Sequence, residues 1–272
     1  MIIPRPMFIH KQLICLLVIF IPFLTLGQTS QKKIKEVSPG EITIVSVDRL
    51  GNFFLVTKKG VVKKYNSQGE VIATLKSKDV DLIEPWYHPT IFIYDRGKQK
   101  YFTFGRNFEN KKENSIEPSW AINPSLVCPS NDNKIWLLDK ADASVKKVNP
   151  FNGEVLIEFA IDTTQFKSLP AFTFLREYQN MVFVLEKNSG ILIFNSIGKQ
   201  IKLIEKAGIE NFNFFGEELY YLDGTVIKFI DLITAEFREI KVEGDNRFAL
   251  VTDERIILVN RKNRVNVLEY KP

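Results

Sequence analysis

Four carboxylates hold equivalent places along the chain: Asp95, Asp139, Glu186 and Asp223. Each closes a short run of bulky apolar residues, as in Ile91-Phe92-Ile93-Tyr94-Asp95 and Ile135-Trp136-Leu137-Leu138-Asp139. Thr57 and Asn260 take the same place in two further runs. If the runs are strands with a common direction, these polar ends form a ring on one face. A ring of this kind could hold Ca²⁺, which takes about six to eight oxygen ligands. Paired acids alone would also suffice for carboxylate-based glycoside chemistry. The plainer alternative is that each acid accepts hydrogen bonds from its own turn, as Asp and Asn commonly do. Arg96, Lys140, Lys187 and Arg261 each directly follow one of the polar ends. Alternating signs fit paired, solvated charges, or a rim that recognises an anionic or polar partner.

Other chemistries find few residues. The chain has two histidines, His10 and His88, and two cysteines, Cys15 and Cys128. A Ser-His-Asp triad or a metalloprotease site would have to use His88, and no Gly-x-Ser-x-Gly elbow or His-Glu-x-x-His segment accompanies it. Trp86-Tyr87-His88-Pro89 reads as a rigid, partly exposed aromatic corner on the face opposite the acids. Cys128, next to Pro129, reads as a packed small hydrophobe rather than a nucleophile.

The apolar runs that carry the acids must be strands. There are six, and their second residues are Phe54, Phe92, Trp136, Phe183, Tyr220 and Ile257. A repeat near forty residues with strand content in every unit is the signature of a β-propeller. Runs that are apolar on consecutive residues are buried on both faces, as the middle strands of stacked blades are. A second repeated piece follows each run. Val62-Lys63-Lys64-Tyr65-Asn66 with Gly69 recurs as Val145-Lys146-Lys147-Val148-Asn149 with Gly153, and more loosely as Leu192-Ile193-Phe194-Asn195 with Gly198. Hairpin turns need the positive φ that Gly supplies and Asn tolerates. The sixth unit has three strands, and the missing outer one is expected from Ile34–Val37, which closes the ring and removes an exposed edge. Blade 2 is irregular: after Tyr101–Phe104, residues 105–124 read as a long polar connection.

The N-terminus reads as a processing segment. Arg5 and Lys11 precede a 14-residue apolar run, Leu13 to Leu26, which is short for a membrane span. Thr25-Leu26-Gly27 places small residues before an expected cleavage at Gln28. Residues 1–27 are thus expected to be a signal peptide, with an uncleaved signal anchor as the alternative, and residues 28–272 a single propeller domain. Cleavage lowers the formal net charge from +5 to +3, too little to argue for nucleic acid. It leaves one cysteine, which excludes an internal disulfide and suits an exported bacterial protein, periplasmic or secreted.

Taken together, the units resemble those of six-bladed propellers of the NHL and TolB-like kind over about residues 34–272. They lack the paired Gly-His and Trp-Asp of WD40 units. The resemblance implies an all-β, six-bladed ring of four-stranded antiparallel blades. It also implies a binding or scaffold module of the cell envelope more often than an enzyme. The expected working surface is the face of the acidic strand ends: Asp95, Arg96, Asp139, Lys140, Glu186, Asp223 and Arg261. Two longer connections, 105–124 and 162–170, are expected to emerge on that face, with Trp120 and Phe166 either exposed there as partner anchors or tucked back over the blade edges. The expected partner is a protein or other envelope ligand, with no cofactor required and Ca²⁺ left open. Peripheral association with a membrane is also left open, and a monomer is expected. The rival reading is a carboxylate- or Ca²⁺-dependent hydrolase or lyase on the same ring.

Overall fold

The computed structural model describes residues 32–87 and 89–271. The expected signal segment, the cleavage point before Gln28 and the side chain of His88 lie outside the described residues.

The described residues begin with a single strand, β1 (Lys33–Val37), and then build six blades in order. Blade 1 is β2 (Ile42–Val47), β3 (Phe53–Thr57), β4 (Val61–Tyr65) and β5 (Val71–Lys76). Blade 2 is β6 (Leu82–Glu84), β7 (Ile91–Asp95), β8 (Lys100–Phe104) and β9 (Lys112–Ser115). Blade 3 is β10 (Pro124–Pro129), β11 (Ile135–Asp139), β12 (Ser144–Val148) and β13 (Val155–Ala160). Blade 4 is β14 (Phe172–Tyr178), β15 (Met181–Glu186), β16 (Gly190–Phe194) and β17 (Gln200–Glu205). Blade 5 is β18 (Phe212–Phe215), β19 (Glu218–Asp223), β20 (Val226–Asp231) and β21 (Phe237–Lys241). Blade 6 is β22 (Asn246–Val251), β23 (Arg255–Asn260) and β24 (Val265–Glu269), and β1 completes it.

This is the expected six-bladed ring. The closure is direct: β1 lies antiparallel to β24, with Val37 opposite Val265 and Glu36 opposite Asn266. The second strand of each blade is one of the six apolar runs. In β3, β7 and β11 every residue is buried, because neighbouring blades cover both faces. The outer strands β5 and β13 instead alternate between exposed and half-buried positions. The apolar clusters therefore lie between blades. One joins Phe53 and Leu55 of blade 1 to Leu250 and Ile257 of blade 6. Another joins Leu185 and Ile191 of blade 4 to Phe212 and Leu219 of blade 5.

Blade 2 departs from expectation. The stretch 105–124 is not one long loop, because it contains the fourth strand, β9. Phe108 and Asn110 take positive φ of 67° and 53° in the turn that leads to it. The Phe108 ring packs edge-on against Phe54 and Phe104, with centroids 6.2 and 6.1 Å away. The sequence of β9, Lys-Glu-Asn-Ser, is polar because an outer strand pairs by its backbone on one side and meets water on the other.

Two faces follow from this topology. The turns between second and third strands, and the connections between blades, lie on one face. The turns between first and second strands, and between third and fourth, lie on the other. The inner strands line a channel that side chains fill.

Candidate functional site

The face of the second-strand ends carries the acids picked out by the sequence. Asp139 and Glu186 are both almost fully buried. Asp139 Oδ2 accepts the backbone N–H of Ile122 at 2.7 Å, and its Oδ1 accepts those of Asn123 and Ala141 at 2.9 Å each. Glu186 Oε1 accepts the N–H of Ala171 at 2.9 Å, and its Oε2 accepts that of Asn188 at 3.0 Å. Asp95 accepts the N–H of Lys98 at 3.0 Å and faces its ammonium at 2.5 Å. Each of these acids organises the connections beside its own strand end. Among the described residues, no group of three or more His, Cys, Asp or Glu side chains is arranged to hold a metal ion.

The basic neighbours are exposed. Arg96 lies 3.8 Å from Asp81. The Lys140 backbone N–H donates to Asn123 O at 2.9 Å, pinning the strand end to the preceding blade connection.

Asp223 and Arg261 both line a cleft of about 490 Å³ on this face. Asp223 lies 2.8 Å from Lys206 and 3.1 Å from Lys228. The hydrogen bond from Lys206, reinforced by that from Lys228, holds the Asp223 carboxyl below its ordinary pKa. Arg261 reaches Asp245 at 3.1 Å and Glu210 at 3.4 Å, and Glu210 also pairs with Arg247. The cleft is thus walled by charges of both signs that neutralise one another.

Neither Trp120 nor Phe166 is an exposed anchor; both follow the alternative of tucking back over the blade edges. Trp120 is 4% exposed and belongs to the apolar cluster of blades 2, 3 and 4. Its indole covers the turn at Gly153, where an added Cβ would lie 3.4 Å from Nε1. Phe166 is half-buried, follows a single 3-10 turn at Thr163–Gln165, and packs edge-on against Phe172 at 6.0 Å. Large aromatic surfaces gain most from burial, so both rings fold back over the blade edges.

The residues that do stand out are aliphatic neighbours that sequence reasoning passed over. Ile122 is 84% exposed and Leu169 is 86% exposed. They sit in the connections from blade 2 to blade 3 and from blade 3 to blade 4, so they flank blade 3 on the same face. Asp139 holds the backbone of Ile122 itself, and Glu186 holds Ala171, two residues beyond Leu169. The connections themselves were visible in the sequence, but which of their apolar residues turn outward depends on the packing of the blades.

No protein-family model matches the chain, and no curated protein matches it. Solved structures do. The Neurospora crassa Pan2 WD40 domain superposes with a TM-score of 0.61 at 9% identity, covering 88% of this chain and 95% of its own. The Cps50 (Swd1) β-propeller domain of Myceliophteria thermophila gives 0.58 at 10% identity, covering 89% of this chain and 100% of its own. Virginiamycin B lyase from Staphylococcus aureus gives 0.53 at 12% identity, covering 87% of this chain and 98% of its own. At these identities the likeness shows the fold alone. The chain is a six-bladed β-propeller, and a fold of this kind hosts unrelated functions.

Proposed function

We propose that this propeller is an exported binding or scaffold module of the bacterial cell envelope, without catalysis of its own. Its docking surface is the face of the second-strand ends. Ile122 and Leu169 supply apolar contact there, and the cleft of Asp223 and Arg261 supplies a polar flank. The observation that carries this reading is the pair of exposed aliphatic side chains on blade connections that Asp139 and Glu186 hold by hydrogen bonds. Anchors held in place before binding lose little freedom when a partner arrives. Of the carboxylates that an enzyme of this kind would need, Asp95, Asp139 and Glu186 accept backbone N–H groups and Asp223 is paired with Lys206 and Lys228. Export rests on the N-terminal sequence, with its basic start, short apolar run and small residues before Gln28.

The test compares the chain from residue 28 with an Ile122→Asp/Leu169→Asp variant. Both are used to capture partners from a solubilised envelope fraction. The expected result is loss of the captured species with an unchanged melting curve. Equal capture by both proteins counts against this face.

A further inference from the structure

The opposite face has its own depression, a cavity of about 270 Å³ at the mouth of the central channel. It is framed by turns of blades 1, 2, 5 and 6. Part of its wall is Trp86, the aromatic corner that the docking surface leaves unused. Two guanidiniums lie near the indole: Arg49 at 5.2 Å and Arg176 at 5.4 Å from the ring centroid.

The two arginines differ in their commitments. Arg176 is buried and is taken up by Glu84 and Asn213. Arg49 is exposed. Among the described residues, its guanidinium makes no hydrogen bond and has no carboxylate within 4.0 Å. It lies over the face of the Trp86 ring, which leaves its N–H fork open. Such a fork matches a carboxylate in two-pronged geometry.

The rest of the lining narrows the ligand. Leu50, Phe215 and Val251 provide apolar wall. Asp48 is buried, bound by Asn52 and 3.6 Å from Lys64, so it does not compete for Arg49. Asp253 and Glu254 also line the cavity, and their charge disfavours an anion carrying two negative charges more than one carrying a single charge.

We propose that this cavity binds a singly charged carboxylate with an apolar body, such as the C-terminal residue of a peptide or an aromatic organic acid. The carboxylate takes the open fork of Arg49, and the apolar body lies against Trp86 and Leu50. This site is separate from the docking surface proposed above, so either can fail without the other.

The probe is N-acetyl-L-phenylalanine, with N-acetyl-L-phenylalaninamide as its uncharged twin and inorganic phosphate as the doubly charged competitor. Binding is read by tryptophan fluorescence, and a Trp86→Phe variant identifies the signal against the buried Trp120 and Trp136. The expected result is saturable binding of the acid. Binding is expected to be at least tenfold weaker for the amide, and at least tenfold weaker for the acid with Arg49→Gln at an unchanged melting temperature. Phosphate is expected not to displace the acid. Equal binding of acid and amide, indifference to Arg49→Gln, displacement by phosphate, or no saturable signal each overturns the proposal.

Discussion

Arg176 of β14 and Glu84 of β6 meet across the central channel, with Nε 2.7 Å from Oε2 and Nη2 3.0 Å from Oε1. Asn213 of β18 accepts a further hydrogen bond from the same guanidinium. One side chain thus ties blade 4 to blades 2 and 5. Phe214 lies under the guanidinium, 5.5 Å from centroid to carbon, and the backbone N–H of Trp86 donates to Glu84 Oε1 at 2.9 Å. The channel is filled here by a polar bolt.

The bolt predicts a non-additive mutant pair. Arg176→Met leaves Glu84 as a buried, uncompensated charge, which costs about 3–5 kcal/mol. Arg176→Met with Glu84→Gln removes both charges and costs less than the single change. Denaturant unfolding of the three proteins checks this. A double variant less stable than Arg176→Met would show that the pair is not coupled as described.

Closure of the ring gives a second prediction. Deleting residues 28–37 removes β1 and bares the edge of β24. The melting temperature is expected to fall by about 6 °C or more, the shift that about 3 kcal/mol produces in a domain of this size. The bared edge is also expected to promote self-association, visible by size-exclusion chromatography. An unchanged melting curve would contradict the closure.

Trp120 and Ile122 are two residues apart and are predicted to behave oppositely. Trp120→Ala empties a buried site and is expected to cost about 3–5 kcal/mol. Ile122→Ala removes only exposed surface and is expected to change stability by less than about 0.5 kcal/mol. Thermal melts of the two variants separate the structural residue from the surface one.

The same pair of residues shows where sequence reading stops. The second strands were legible because burial on both faces forces consecutive apolar residues, which no alternating surface strand shows. The closure was legible because the last unit lacks a strand and Ile34–Val37 has no other partner in the chain. β9 was not legible, since Lys-Glu-Asn-Ser has no apolar residue and so no pattern of burial. The polar chain neighbours of Trp120 left open whether it is exposed or tucked in, and its burial comes from blades 2, 3 and 4 meeting around it. Arg176 sits 92 residues from Glu84 in the chain. The only local signal for their contact was a charged Arg-Glu pair set inside an otherwise apolar inner strand.

Asp223 gives a pH-dependent prediction. Hydrogen bonds from Lys206 and Lys228 hold its carboxyl below the ordinary value of 3.8. Its folded pKa is therefore lower than its unfolded one. The stability it adds is fully present above the unfolded value and is lost as pH falls through the folded value. Asp223→Asn is expected to lower stability at pH 7 by about 0.5–1 kcal/mol, less at high salt. The difference should vanish at the acid end of that window. A difference that stays constant with pH would remove the ion pairs from the account.

The most direct measurement of where this propeller docks is site-specific photo-crosslinking in intact cells. A photoreactive residue is placed at position 122 on the second-strand face or at position 197 on the other. Ile197 is the matched control, an apolar side chain 74% exposed in an outer turn of blade 4. The account predicts a discrete crosslinked partner from position 122, none from position 197, and loss of the adduct when Leu169→Asp is added. Crosslinks from position 197 alone, or equally from both positions, would contradict it.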